Sequence, residues 1–97
     1  MRLSTHILDT ERGQPIAGIK VGLYDGMTLV SLQETDKDGR IQNLFEADLG
    51  PGKYRLVFYV SGGFFEQVEL TLALVEDRHY HVPLLTSGYS CVTYRGS

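Results

Sequence analysis

The sequence is poor in the features that mark most specialised protein classes. It has one cysteine, Cys91, in 97 residues, so no disulfide can close within the chain, which points to a reducing compartment. Basic residues are not in excess: nine Lys and Arg stand against twelve Asp and Glu, a formal net charge of −3. Nothing in that balance draws the chain to nucleic acid or to an anionic membrane. No apolar run approaches the roughly 18 residues of a membrane span. No signal peptide precedes the patterned sequence that starts at Met1-Arg2-Leu3-Ser4-Thr5-His6, so a cytoplasmic location is expected. Helical periodicity, internal repeats and linkers are also missing. What remains is ordinary globular composition, 42% hydrophobic and 22% charged, for a single domain over residues 1–97. At this size a core is affordable, but a deep cleft walled by one chain is hard to build.

Short alternating runs between turn signals predict an all-β domain. Met1–Thr10 is the first run, followed by a loop over Glu11–Pro15. Ile19, Val21 and Leu23 alternate with Lys20, Gly22 and Tyr24, and Thr28–Thr35 follows the Asp25-Gly26 turn. After the charged turn Asp36-Lys37-Asp38-Gly39, a short strand is expected over Arg40–Phe45. The strongest alternation is Tyr54, Leu56, Phe58, Val60 and then Val68, Leu70, Leu72, Leu74, a period of two that fits strands and not helices. Tyr80, Val82 and Leu84 form one face of the next run, with His79, His81, Pro83 and Leu85 on the other. Tyr89–Tyr94 supplies the last strand. Seven or eight strands at this spacing favour a two-sheet antiparallel sandwich.

The residues with chemistry to offer are few. If Leu3, Thr5 and Ile7 share one face of the first strand, Ser4, His6 and Leu8 share the other. His79 and His81, two apart, leave their strand on one side. Two imidazoles could begin a zinc site, but no third and fourth ligands are recognisable, so no metal site is expected. Proton transfer is the alternative use, since imidazole titrates near neutrality, at about 6.5. Arg40 follows Asp38-Gly39 at a strand mouth, where its fork of donors can clamp a planar, carbonyl-rich ligand. The terminal Tyr94-Arg95-Gly96-Ser97 is unusual for a chain end, most of which are merely polar. Ser97 has no Gly-x-Ser-x-Gly turn around it, so a nucleophile elbow is excluded.

Four stretches taken together are more specific. Leu3-Ser4-Thr5-His6-Ile7-Leu8-Asp9, Asp38-Gly39-Arg40, His79-Tyr80-His81-Val82-Pro83-Leu84-Leu85 and the terminal Tyr94-Arg95-Gly96-Ser97 resemble, in order and spacing, the 5-hydroxyisourate hydrolase family of transthyretin-related proteins. The resemblance spans almost the whole chain. It implies a transthyretin-like β-sandwich assembled as a homotetramer, a dimer of dimers, with active sites in the channel between dimers. It implies hydrolysis of 5-hydroxyisourate to 2-oxo-4-hydroxy-4-carboxy-5-ureidoimidazoline in urate degradation, with neither metal nor organic cofactor. By motif position it implies His6, Arg40, His81 and Ser97 as catalytic residues, and His6, Arg40, Tyr94 and Arg95 as substrate-binding residues. His6 and His81 would orient and deprotonate water, Arg40 would bind the heterocycle, Tyr94 would bound the pocket and Ser97 would complete its polar wall. His79, one repeat further out, reads as a rim residue.

The sequence departs from the family's pattern in two places. Only Gly62-Gly63-Phe64-Phe65-Glu66-Gln67 separates two strong strands, too short for the family's usual helix, so the helix is predicted absent and a tight hairpin takes its place. The run Ser87-Gly88-Tyr89-Ser90-Cys91-Val92 is altered where the family makes its dimer–dimer contact. The competing function is a transthyretin-type carrier of a small ligand without catalysis. His6, Arg40, His81 and Tyr94 discriminate against it, because a carrier has no need of a polar, obstructed channel.

Overall fold

The computed structural model describes residues 1–46 and 49–96. Among them are ten strands and no helix: β1 (Arg2–Asp9), β2 (Gln14–Pro15), β3 (Lys20–Asp25), β4 (Thr28–Glu34), β5 (Arg40–Ile41), β6 (Gly52–Tyr59), β7 (Val68–Leu74), β8 (His79–His81), β9 (Leu84–Thr86) and β10 (Cys91–Thr93). One sheet has the order β4-β3-β6-β7 and is antiparallel throughout. The other is built around β1, which pairs with β2 and β5 in the antiparallel sense and with β8 and β9 in parallel, while β10 lies outside β9. The expected all-β sandwich is present, with a parallel seam at its centre. That seam is possible because β1 and β8 come from opposite ends of the chain, with the whole first sheet as the crossover between them.

Alternation sets the core as the sequence pattern predicts. Leu3, Thr5 and Ile7 of β1 are buried with Val21 and Leu23 of β3, Leu56 and Phe58 of β6, and Tyr80, Val82 and Leu84. Each such apolar side chain stabilises the fold by about 1.5–3 kcal/mol on burial. Burying that face sends the alternate residues of β1 outward, Ser4 and His6 among them. β8 and β9 follow β1 in one register, broken at Val82–Pro83, where proline has no N–H for the ladder. Thr5 covers the break by donating its hydroxyl proton to the Val82 carbonyl at 2.6 Å.

Three local expectations change. The Arg40–Phe45 run is a strand only over Arg40–Ile41. Beyond it Asn43 accepts the Phe45 N–H at 3.0 Å and the Leu3 N–H at 3.2 Å through its side-chain oxygen, which bends the chain over the end of β1. The expected loop at Glu11–Pro15 contains β2, a short edge pair to Leu8 and Asp9. The connection after β6 is not a tight hairpin. Residues 60–67 make a longer arm, without a helix, that leans on the turn between β9 and β10: Phe64 donates its N–H to the Gly88 carbonyl at 2.8 Å. Gly63 permits this approach, since a Cβ there would lie 2.9 Å from the Gly88 oxygen.

The turn before β5 is the most constrained point of the sheet. Gly39 has φ +74, and a Cβ there would stand 2.6 Å from the Ile7 carbonyl oxygen and 2.9 Å from Pro15 Cβ. Gly26, at φ +60, has nothing within 4 Å. Gly39→Ala therefore meets both a left-handed backbone and a backbone clash, at about 2 kcal/mol or more, whereas Gly26→Ala meets only the first, about 1 kcal/mol. Thermal melts should show Gly39→Ala lower by roughly 10 °C and Gly26→Ala by about half that; equal melting temperatures would refute the close contact.

Candidate active site

The outward face of β1 carries a hydrogen-bonded group of three side chains. Ser4 lies opposite His81 in the parallel ladder, and Arg2 lies opposite His79, so the serine hydroxyl sits between the two imidazoles. Its Oγ is 2.7 Å from His79 Nε2 and 2.8 Å from His81 Nδ1. Ser4 points away from the core yet is only 6% exposed, because the two rings close over it. The His81 ring is held from another side by the C-terminal segment. Gly96 donates its N–H to the His81 carbonyl at 2.7 Å, and a Cβ on Gly96 would come within 2.9 Å of His81 Cδ2. The glycine of the terminal tetrapeptide thus acts as a flat contact for the imidazole.

Two residues along β1, His6 lies opposite Arg40 of β5. His6 Nε2 is 2.9 Å from the Asp38 carbonyl oxygen. A carbonyl can only accept, so Nε2 carries the proton, and in the neutral ring Nδ1 is the lone-pair atom. The turn that supplies that carbonyl is fixed by Asp36, whose Oδ1 accepts the N–H groups of Asp38 at 2.8 Å and Arg40 at 2.9 Å. The Arg40 N–H bond is the main reason the Asp36 carboxyl is held below its usual range, assisted by the Asp38 N–H and the charges of Arg40 and His6. Among the described residues the Arg40 guanidinium makes no hydrogen bond or ion pair; its donors are open to a ligand.

His81 stands in an electrostatic field of one sign. Its partial burial, then the charges of Arg40, His79, His6 and Arg2, lower its pKa below 6.5. The ring is neutral at neutral pH, a base within reach of a cation that can bind developing negative charge. No group of three or more His, Cys, Asp or Glu among the described residues is placed to hold a metal ion.

The structure brings His6, Arg40 and His81 together and sets two other sequence candidates apart from them. Arg95 lies over the Tyr80 ring, 5.9 Å from its centroid, on the core side of β8. Tyr94, 56% exposed, lines a cavity of about 520 Å³ with Arg95, Tyr80 and the β7 residues Leu70, Leu72 and Leu74. That cavity and a second of about 460 Å³ beside Gly62 and Gly88 are not lined by His6, Arg40 or His81. With Arg40 and His79 exposed and His6 and His81 half-buried, the histidine face is open to solvent. Ser97 lies outside the described residues.

Ser4 is the polar side chain that sequence reasoning passed over: its hydroxyl bridges His81 and His79, the latter exposed at the rim of the face as expected. Parity already put Ser4 on the face of His6 and put His79 with His81. The missing step was the pairing of β1 with β8, a contact between the two ends of the chain that no local pattern announces.

Comparisons with known proteins identify the family and the fold. The model of the HIUase/Transthyretin family matches residues 3–96. The chain is 42% identical over 115 aligned positions to 5-hydroxyisourate hydrolase 2 of Rhizobium meliloti (strain 1021), covering 99% of this chain and 96% of that one. The structure of Klebsiella pneumoniae 5-hydroxyisourate hydrolase superposes with a TM-score of 0.91 at 32% identity, over 99% of this chain and 98% of the other. Sea bream transthyretin in complex with thyroxine gives 0.89 at 27% identity, over 99% and 95%. With its four motifs, its sandwich and the family match in agreement, the chain belongs to the HIUase/Transthyretin family.

Proposed function

We propose that this protein hydrolyses 5-hydroxyisourate in urate degradation. The observation that carries the reading is a neutral His81 set beside His6 and an unpaired Arg40 on one outward face; relatives bearing the hydrolase name at about 40% identity support it. Water adds to the cyclic amide carbonyl, the ring C–N bond breaks, and the ring nitrogen leaves with a proton. The product is the carboxylate 2-oxo-4-hydroxy-4-carboxy-5-ureidoimidazoline. His81 takes the proton from water, and His6, held by the Asp38 carbonyl, orients the water or the ring through Nδ1. Arg40 binds the carbonyl-rich ring by two parallel N–H bonds and stabilises the oxyanion. The reading calls on no metal or organic cofactor. A pure carrier leaves this set of polar groups unexplained.

An open wall does not exclude water, and on a chain this small a second surface must close it. We place that surface on another subunit of a homotetramer, a dimer of dimers. In that assembly we assign substrate contacts to Tyr94, Arg95 and Ser97 by their place in the terminal motif; Tyr94 and Arg95 lie apart from the histidine face of their own subunit. We place the reaction in the cytoplasm, a compartment with which the unpaired Cys91 thiol is compatible.

The test is to generate 5-hydroxyisourate from urate with urate oxidase and follow its decay by absorbance and circular dichroism. Acceleration over spontaneous decay is expected, and its absence would end the hydrolase reading. Arg40→Lys keeps the charge but loses the fork, and kcat/KM should fall about a hundredfold. His6→Ala should cost about a hundredfold or more. The acid limb of kcat/KM should lie below pH 6.5, because the depressed pKa keeps His81 neutral where a solvent-exposed histidine would already be protonated. The same shift gives a sign for stability. Between the folded pKa and 6.5 the unfolded chain binds more protons at this site, so its contribution to stability falls as pH is lowered through that window. An acid limb above 6.5 would reject His81 as the base.

A further inference from the structure

We propose that Ser4 and His79 are positioning residues that complete a proton relay with His81, fixing which nitrogen of His81 meets substrate and carrying the abstracted proton to solvent. The inference rests on the hydrolase reading of the same face and extends it to two residues outside the assigned set.

The argument begins with counting protons. Ser4 Oγ lies at hydrogen-bonding distance from two ring nitrogens, His79 Nε2 and His81 Nδ1, and a hydroxyl has one proton to give. If both rings donated to Ser4, its own proton would be left without an acceptor at a residue only 6% exposed, a buried hydrogen bond left unmade. Both rings cannot accept, because one proton serves one acceptor. One ring therefore donates and the other accepts, and the two tautomers are locked together through the serine.

The requirement for a base chooses between the two arrangements. For His81 to take a proton from water at Nε2, that atom must carry the lone pair, so Nδ1–H donates to Ser4. Ser4 then donates to His79 Nε2, and the His79 proton sits on its Nδ1. Both histidines are in the Nδ1–H form, the less common one for imidazole in water. When Nε2 of His81 takes the proton, its Nδ1 proton passes to Ser4 Oγ and the Ser4 proton passes to His79 Nε2. His81 ends neutral with its proton on Nε2, facing the leaving nitrogen, and His79 ends as the imidazolium. No atom or charge is left over.

Electrostatics give the transfer its direction. The charged and titratable groups facing His81 are Arg2 and His6 of β1, Arg40 of β5 and His79 on its own strand, and each lowers its proton affinity. From the C-terminal side Gly96 brings only backbone and hydrogen to the ring. Among the described residues, each of these groups disfavours a proton resting on His81. His79 is exposed at the outer end of the row, where water can solvate the imidazolium. Ser4 joins a shielded base to a wet acceptor, and its own burial keeps water from short-circuiting the pair.

The experiment uses the full chain and two kinds of readout. Heteronuclear NMR of the ring nitrogens at neutral pH needs no turnover. It should show Nδ1–H tautomers for both His79 and His81, reverting to Nε2–H in Ser4→Ala. Finding the Nε2–H form on His81 in the unsubstituted protein would overturn the arrangement even if the protein hydrolyses 5-hydroxyisourate. In the decay assay, Ser4→Ala should lower kcat about tenfold or more with KM little changed. It should also move the acid limb, and Ser4→Thr, which keeps the hydroxyl, should restore kcat to within about threefold. His79→Gln can hold the serine but cannot take up its proton, so kcat should fall and the solvent deuterium isotope effect should change. His79 lies on the surface, which keeps this arm informative if Ser4→Ala folds poorly. Wild-type kcat and pH profile in both Ser4→Ala and His79→Gln would overturn the relay. No hydrolysis by the unsubstituted protein would instead overturn the function it rests on.

Discussion

The site depends on β1 being held along both edges. Because β2 and β5 pair on one side and β8 and β9 on the other, the strand cannot slip by a residue, and a slip of one would exchange its faces entirely. Leu3, Thr5 and Ile7 face the core with no more than 1% exposure, so Ser4 and His6 must face out. The two edges then deliver the partners. The parallel edge sets His81 opposite Ser4, and the antiparallel edge sets Arg40 opposite His6. One register constraint therefore assembles residues that lie more than seventy positions apart in the chain.

The chemistry follows from the sign of the charges collected there. Arg2, Arg40 and three histidines meet on a protein whose net charge is −3. Such a concentration is unfavourable for the protein alone, and favourable for an electron-rich heterocycle that gains negative charge in the transition state. The same field depresses His81 and keeps it a base. Asp36 is a counter-charge on the turn that interacts with Arg40 and His6, but its Oδ1 is occupied by the backbone N–H groups of Asp38 and Arg40. It builds the turn and leaves the guanidinium free.

Much of this is legible in the amino-acid sequence. Alternation identified the inward residues of β1, β3, β6 and the Tyr80–Leu84 run, since burial of one sheet face leaves a period of two that local sequence must carry. Parity also placed His6 and His81 on outward faces. What local sequence does not carry is which strands meet. The parallel seam between β1 and β8 joins the two chain ends, and from it come both the Ser4 bridge and the structural place of His79. The place of Arg95 over the Tyr80 ring is not legible for a related reason: it depends on how the last residues cross β8, and no periodicity extends that far. The hairpin at Gly62-Gly63 was read as shorter than it is, because its length is set by an anchor on Gly88, distant in sequence.

Placing the site on an outward face also explains how a chain of this length tolerates a shortened connection. The arm over residues 60–67 meets the β9–β10 turn at Gly88, and the end of β9 lies beside Asp9, at the C-terminal end of β1. His79, Ser4 and His81 gather at the opposite end, beside Arg2. Loss of residues from the arm therefore strains one end of the β1 sheet and leaves the register at the other untouched. A site enclosed between the two sheets would have no such separation, because any change in the β6–β7 connection would shift the β7 strand that formed its wall. Catalysis on an outward face is open to water, which is why the proposed reaction includes a second subunit. Size and that proposed assembly answer one constraint: a small sandwich uses its interior for stability and must build its active site from its surface.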